Sequence, residues 1–156
     1  TPVQKPHPPV WIAAFGPKAL AQAGRLGLPY FASPIDTIDT LKNNYARFDE
    51  AVEQAGNPQV STRPFMRTVF TSENPKSIER LRKHLVQMEL PRGLKTPPKL
   101  DEWAIVGNRE FVSEKINEYR DALNATHLIV THFRFEGVEE FELRQSVESL
   151  SELFAI

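Results

Sequence analysis

Val10-Trp11-Ile12-Ala13-Ala14-Phe15-Gly16-Pro17-Lys18-Ala19-Leu20 is the stretch on which the fold turns. A short, continuous apolar run suits a strand buried on both faces, and this one runs straight into Gly-Pro. Proline is favoured at the first helical position, where an N–H has no intrahelical acceptor, and glycine is favoured just past a helix end. Gly27 therefore makes Pro17 to Leu26 a short helix. A buried strand leading at once into a helix is the start of a βα unit, and such units imply a parallel sheet covered by helices.

Downstream the pattern repeats. Pro29 to Ser33 is the next apolar strand. Ile38, Leu41, Tyr45, Phe48, Val52 and Ala55 then recur at helical spacing, with Asp36 as N-cap and Gly56 as stop. Phe65 to Thr71 is a third strand, and Asn74-Pro75 caps a helix with Ile78, Leu81, Leu85 and Met88 on one stripe. Asn108 caps a helix bearing Val112, Ile116, Tyr119 and Leu123. His127 to His132 is a fourth strand, and Leu143, Val147, Leu150 and Phe154 mark a last helix. Parallel strands are thus expected near residues 10–15, 29–33, 64–71 and 127–132. Trp103 to Gly107 is too short to count as a sheet strand, and the prolines and glycine of Pro91 to Glu102 exclude regular structure there.

Four strands alternating with five helices predict an α/β chain built as half of a (β/α)8 barrel, with the helices on the outer side. A complete barrel takes about 250 residues, and the chain has 156. A small, open, doubly wound sheet would give the same pattern. The expected organisation is a single domain, 1–156. Its insertion at 90–103 is long for a barrel connection, as lids over active sites are. A half-barrel leaves two strand edges and half an apolar interior to be covered, by another copy or by the missing half.

Composition narrows the function. The chain is 40% apolar and 25% charged with a formal net charge of −1, which gives no electrostatic attraction to nucleic acid or an anionic membrane. No apolar run is long enough to span a bilayer, and the first residues have neither the charged nor the apolar part of a secretory leader. A cytoplasmic location is expected. With no cysteine, disulfides, thiolate catalysis and Cys-type zinc sites are excluded.

In parallel α/β folds ligands gather at the carboxyl ends of the strands. That rule singles out Phe15 to Ala19, Ser33-Pro34, Thr71-Ser72 and Thr131 to Arg134. The first is an anion site in the making, because a glycine followed by a helix N-terminus leaves backbone N–H groups facing solvent with the positive end of the dipole behind them. Pro17 has no N–H, so Gly16, Lys18 and Ala19 would supply the donors and the Lys18 ammonium could add charge. An ordinary βα turn, in which glycine only permits the bend, reads identically. The four histidines have no metal-ligand spacing. Only His132 stands at the ligand-facing end; His7 lies among prolines, His84 on a solvated helix face, and His127 at the far end of its strand. Arg67, in the middle of an apolar strand, must be paired if buried.

Lys5 to Leu20, continued by Gly24-Arg25-Leu26-Gly27-Leu28-Pro29, resembles the central segment of the luciferase-like flavin monooxygenases. Ile105-Val106-Gly107-Asn108-Arg109-Glu110-Phe111-Val112 is similar to that family's Val-Gly-(Ser/Thr)-Pro-Glu-Glu-Val segment, and Thr126 to Val130 to its last strand. The resemblance implies a (β/α)8 barrel of which this chain is strands five to eight, with the 90–103 segment as the mobile insertion. It implies an FMN-dependent monooxygenase that uses reduced flavin from a separate reductase, and O2, to oxygenate a small organic substrate. A deazaflavin-dependent oxidoreductase of the same superfamily, or a non-catalytic half-barrel that binds flavin or another chain, are the alternatives. The flavin-phosphate positions carried over are Phe15, Gly16 and Ala19; with Lys18 and Ser33, taken from the strand ends, they make the expected cofactor-binding set. Family members hold the flavin phosphate with backbone amides and small hydroxyl side chains. Phe15, Gly16 and Ala19 carry no hydroxyl, so backbone donors and Lys18 must suffice. The catalytic residues are expected in the half not present.

Overall fold

The computed structural model describes residues 3–88, 98–131 and 137–154. In chain order the elements are β1 (Ile12–Ala13), α1 (Pro17–Leu26), β2 (Tyr30–Phe31), α2 (Ile38–Gln54), β3 (Pro64–Thr71) and α3 (Pro75–Gln87). They continue with α4 (Leu100–Trp103), β4 (Ala104–Gly107), α5 (Arg109–Leu123), β5 (His127–Thr131) and α6 (Glu140–Phe154). Every ladder is parallel. β1 pairs with β2, and β3 is flanked by β4 and β5, so the strands do not follow one another in the sequential order that a half-barrel predicts.

The helices begin and end where chemistry dictates. Pro17 opens α1, and Gly27 closes it in the left-handed region at φ 63°. Asn74 and Asn108 accept from the Lys76 and Phe111 amides at the starts of α3 and α5. The cap of α2 is Thr37 rather than Asp36: Thr37 Oγ1 accepts from the Thr40 amide at 3.2 Å. Asp36 instead closes the preceding turn, its amide donating to the Ser33 carbonyl. The apolar stripe of α2 behaves as its spacing predicts, with Leu41, Tyr45, Phe48 and Val52 buried. Each such burial contributes roughly 1.5–3 kcal/mol.

Trp103 to Gly107 corrects the strand count. Ala104–Gly107 is a sheet strand, in register with β3 from Thr68↔Ala104 to Thr71↔Gly107. All four residues are buried, so a full-length neighbour and cover on both faces stabilise a strand whose own length says little. Regular structure also appears inside the stretch expected to lack it. Of the 90–103 insertion, residues 90–97 lie outside the described residues, while Leu100–Trp103 forms one helical turn beyond the last proline. There the Glu102 carboxylate accepts from the Lys99 amide at 2.6 Å. β1 falls short in the other direction. Only two residues pair, and Ala13 and Phe15 are exposed while Ala14 is buried, so one face of this strand is open.

Helices also lie on both faces of the three-stranded sheet, not on one side alone. Val69 and Ile105 pack in a core with residues of α2 and α5. The alternating residues Phe70, Ala104 and Val106 pack with Leu81 and Leu85 of α3. Because successive strand residues face opposite ways, α3 covers the face that α5 does not. The first core joins the two sheets, since Ala14, Tyr30 and Ala32 belong to it as well. Burial pushes the Tyr30 phenol up to about 12. Tyr45 spans the same junction, its hydroxyl donating to the Pro64 carbonyl at 2.7 Å. No helix among the described residues is long and apolar enough to cross a membrane.

Candidate functional site: the carboxyl ends of β1 and β2

The Ala14 amide donates to the Phe31 carbonyl at 3.2 Å, which holds the end of β1 against β2. Phe15 then turns outward, 72% exposed. Gly16 occupies the N-cap of α1 at φ 155°, ψ 169°, with no side chain to cap the helix. That φ is one L residues rarely adopt, and a Cβ built there meets nothing within 4 Å. The glycine therefore serves the backbone angle and leaves open space above it. The first helical bond runs from the Leu20 amide to the Gly16 carbonyl at 3.0 Å. Pro17 has no N–H. Among the described residues the Gly16, Lys18 and Ala19 amides have no protein acceptor, as the first turn of an uncapped helix requires.

Other helix starts are filled by the protein itself. Thr37 and Asn74 cap α2 and α3. At α5 Asn108 is joined by the Glu73 carboxylate, which accepts from the Arg109 amide at 3.2 Å. Lys18 is exposed, and Gly16 and Ala19 are half-buried. Ser33 is half-buried at the end of β2. Ser33 lies two residues past Phe31, where the last bond between the two strands runs from the Ala14 amide to the Phe31 carbonyl. Ser33 Oγ accepts from the Ile35 amide at 3.4 Å. The five residues expected to hold a cofactor thus lie on two neighbouring strand ends.

The other strand ends are more fully used. The Thr71 amide donates to Ser146 Oγ of α6 at 2.9 Å, and the Ser72 amide to the Gly107 carbonyl at 3.1 Å. Thr131 Oγ1 lies 3.4 Å from Thr68 Oγ1. His132, Phe133 and Arg134 are outside the described residues. His127 sits at the amino end of β5, edge-on to Trp11 at 5.2 Å, away from the candidate site. Sequence reasoning expected a partner for Arg67, and the structure supplies carbonyls in place of a carboxylate. It did not find the contact between Arg67 and the loop after β2, which joins residues 31 and 33 positions apart. Burial raises the Asp36 carboxyl above its ordinary value, and the nearby Arg67 opposes that shift.

A short parallel sheet covered by helices, with a strand end that meets an uncapped helix N-terminus, defines an α/β protein. The sequence profile of the luciferase-like monooxygenases matches residues 1–126, and the chain belongs to that family. No curated protein sequence is significantly similar to it. Among solved structures, a monooxygenase from Streptomyces bottropensis superposes with a TM-score of 0.74 at 15% identity, over 97% of this chain and 49% of that one. The oxygenating constituent of 3,6-diketocamphane monooxygenase from Pseudomonas putida, solved with FMN, gives 0.69 at 22% identity, over 95% and 48%. An F420-dependent secondary alcohol dehydrogenase gives 0.62 at 18% identity, over 81% and 43%. The chain spans about half the length of these structures.

Proposed function

We propose that the chain is the C-terminal half of a flavin-dependent monooxygenase, and that it holds the FMN phosphate at the start of α1. The observation that carries this reading is the uncapped N-terminus of α1 at a strand's carboxyl end, with Gly16 leaving the approach open. Bound reduced flavin would supply the oxygen chemistry to a small organic substrate, with a separate reductase as its source of electrons. The residues on these two strand ends bind and orient. Phe15, Gly16, Lys18, Ala19 and Ser33 include no carboxylate, imidazole or thiol, so proton transfer falls to other parts of the complete site.

A deazaflavin-dependent oxidoreductase is the second reading, favoured by the likeness to the F420-dependent alcohol dehydrogenase. Titration of the protein, at the full length its gene encodes, with FMN and with deazaflavin separates them. Tight binding of FMN alone supports the monooxygenase, tight binding of deazaflavin alone the dehydrogenase type. Binding of neither leaves the third reading, a half-barrel that associates with another chain. The half absent from this chain, or a second copy, would cover strand edges that are unpaired among the described residues.

A further inference from the structure

α6 is seated differently from the other long helices. α2 buries Leu41, Tyr45, Phe48 and Val52, and α5 buries Val112, Ile116, Tyr119 and Leu123. Among the described residues of α6 the buried ones are Glu142, Ser146 and Leu150, spaced by four and so on one face. Two of these three are polar. Leu143 is only half-buried, and Phe141 and Val147 are 60% and 48% exposed. Each buried polar residue reaches another element. The Glu142 carboxylate accepts from the Ser77 hydroxyl of α3 and from Arg80 Nη2 at 2.9 Å. One turn on, Ser146 Oγ accepts from the Thr71 amide at 2.9 Å.

Thr71 is buried and ends β3, the central strand of its sheet. Ser146 therefore covers the carboxyl end of that strand, on the side from which parallel α/β folds take ligands. A hydrogen bond formed on seating replaces one to water, so its net gain is smaller than that of burying an apolar side chain. A helix held in this way opens locally more readily than α2 or α5, as segments with few buried apolar contacts do. We propose that the first two turns of α6, Glu140 to Val147, form a lid over the carboxyl end of β3, locked by the Ser77–Glu142 and Thr71–Ser146 bonds. Leu150, packed in the core that includes residues of α2 and α5, holds the far end while the lid lifts. Seated, Ser146 occupies the Thr71 N–H; lifted, it frees that donor.

Residues 1–156 contain no cysteine, so an introduced thiol reports opening at one place. Ser146→Cys replaces a fully buried residue on the lid, and Ala104→Cys one in the sheet. Both are made in the protein at its full encoded length, and maleimide labelling is read by mass spectrometry on the peptide that carries each thiol. Ser146→Cys should be labelled at least about tenfold faster than Ala104→Cys, a decade in the opening equilibrium. Ser77→Ala, which weakens the lock without altering α6, should speed that labelling about tenfold again, as loss of a hydrogen bond to a charged group does. Hydrogen exchange at the Thr71 amide, followed in Ser77→Ala with Ser146 intact, should rise by the same factor. Equal labelling of Ser146→Cys and Ala104→Cys would mean that α6 leaves only when the whole fold opens, and overturns the proposal. So does faster labelling in Ser77→Ala with unchanged exchange at Thr71, or no response of either to Ser77→Ala. Should Ser77→Ala fail to fold, the comparison of the two thiols decides.

Discussion

The Ser77 hydroxyl donates a hydrogen bond to the Glu142 carboxylate, joining the first turn of α3 to the first turn of α6. The same carboxylate accepts from Arg80 Nη2 at 2.9 Å and from the Glu139 amide at 3.0 Å. The Ser77 hydroxyl first, and then the Glu139 amide, hold the Glu142 carboxyl below its ordinary 4.5. A carboxyl depressed on folding stabilises the native state fully above its unfolded value, and that contribution is lost as pH falls through the folded one. Denaturation midpoints should therefore drop as the medium is acidified below 4.5. Glu142→Gln should flatten that drop and cost about 1–3 kcal/mol near neutrality, the range for buried groups left unpaired. Urea titrations of both proteins across the acid range check it, and an unchanged acid profile in the variant would refute the assignment.

The βα units were legible in the sequence because their signals are local. Pro17, Gly27, Asn74 and Asn108 mark helix ends by backbone chemistry acting within a few residues. The stripe of α2 needs only its own spacing. β4 was missed because four residues carry no periodicity, and what makes them a strand is the neighbouring Phe70 and Thr71 in register. α3 on the second face of the sheet was missed for the same reason: a stripe says that a helix packs, not on which side. Within the candidate site, the Gly16 turn could be read directly. The hold of Arg67 on Pro34 and Asp36 could not, because loop-to-strand pairing at such separation leaves no pattern in one sequence.

Gly24 of α1 lies against α2, where an added Cβ would meet the Ala51 Cβ at 2.6 Å and the Val52 backbone nitrogen at 2.9 Å. Backbone cannot give way as a side-chain tip can, so Gly24→Ala should force the helices apart. A loss of about 1–3 kcal/mol is expected, as for overpacking, despite alanine's better helix propensity. Asn57 ties this junction from outside, its Nδ2 donating to the Gly24 and Arg25 carbonyls at 2.9 and 3.0 Å. Chemical denaturation gives the sign. A more stable Gly24→Ala protein would mean that α1 and α2 are not so close.

β5 is paired on one side only among the described residues, with β3. Beside it a cleft of about 910 Å³ opens between α5 and α6, lined in part by Leu128, Val130 and the half-exposed Val147. A strand edge and an apolar cleft together favour association. Residues 1–156 expressed by themselves should self-associate or aggregate, and on the proposed half-barrel reading should become soluble and discrete when the remaining half is supplied. Sedimentation at micromolar concentration tests this. A stable monomer with no tendency to associate would contradict it.

Gly16→Val should weaken FMN binding by about 1–3 kcal/mol, the range for leaving a polar group unpaired. The reason is not a clash inside the protein, since a Cβ at Gly16 meets nothing within 4 Å. Two effects remain. A β-branched residue is strained at a φ of 155°, so relaxation would re-aim the amides proposed to meet the phosphate. The side chain would also stand in the open space above Gly16, where the proposed phosphate would approach. Lys18→Ala should cost less, because the Lys18 side chain is exposed and exposed charges gain little from pairing. Fluorescence titration of FMN into both variants at full encoded length ranks them. A Gly16→Val protein that binds FMN as tightly as its parent would place the phosphate elsewhere and leave the Gly16-Pro17 segment a structural turn.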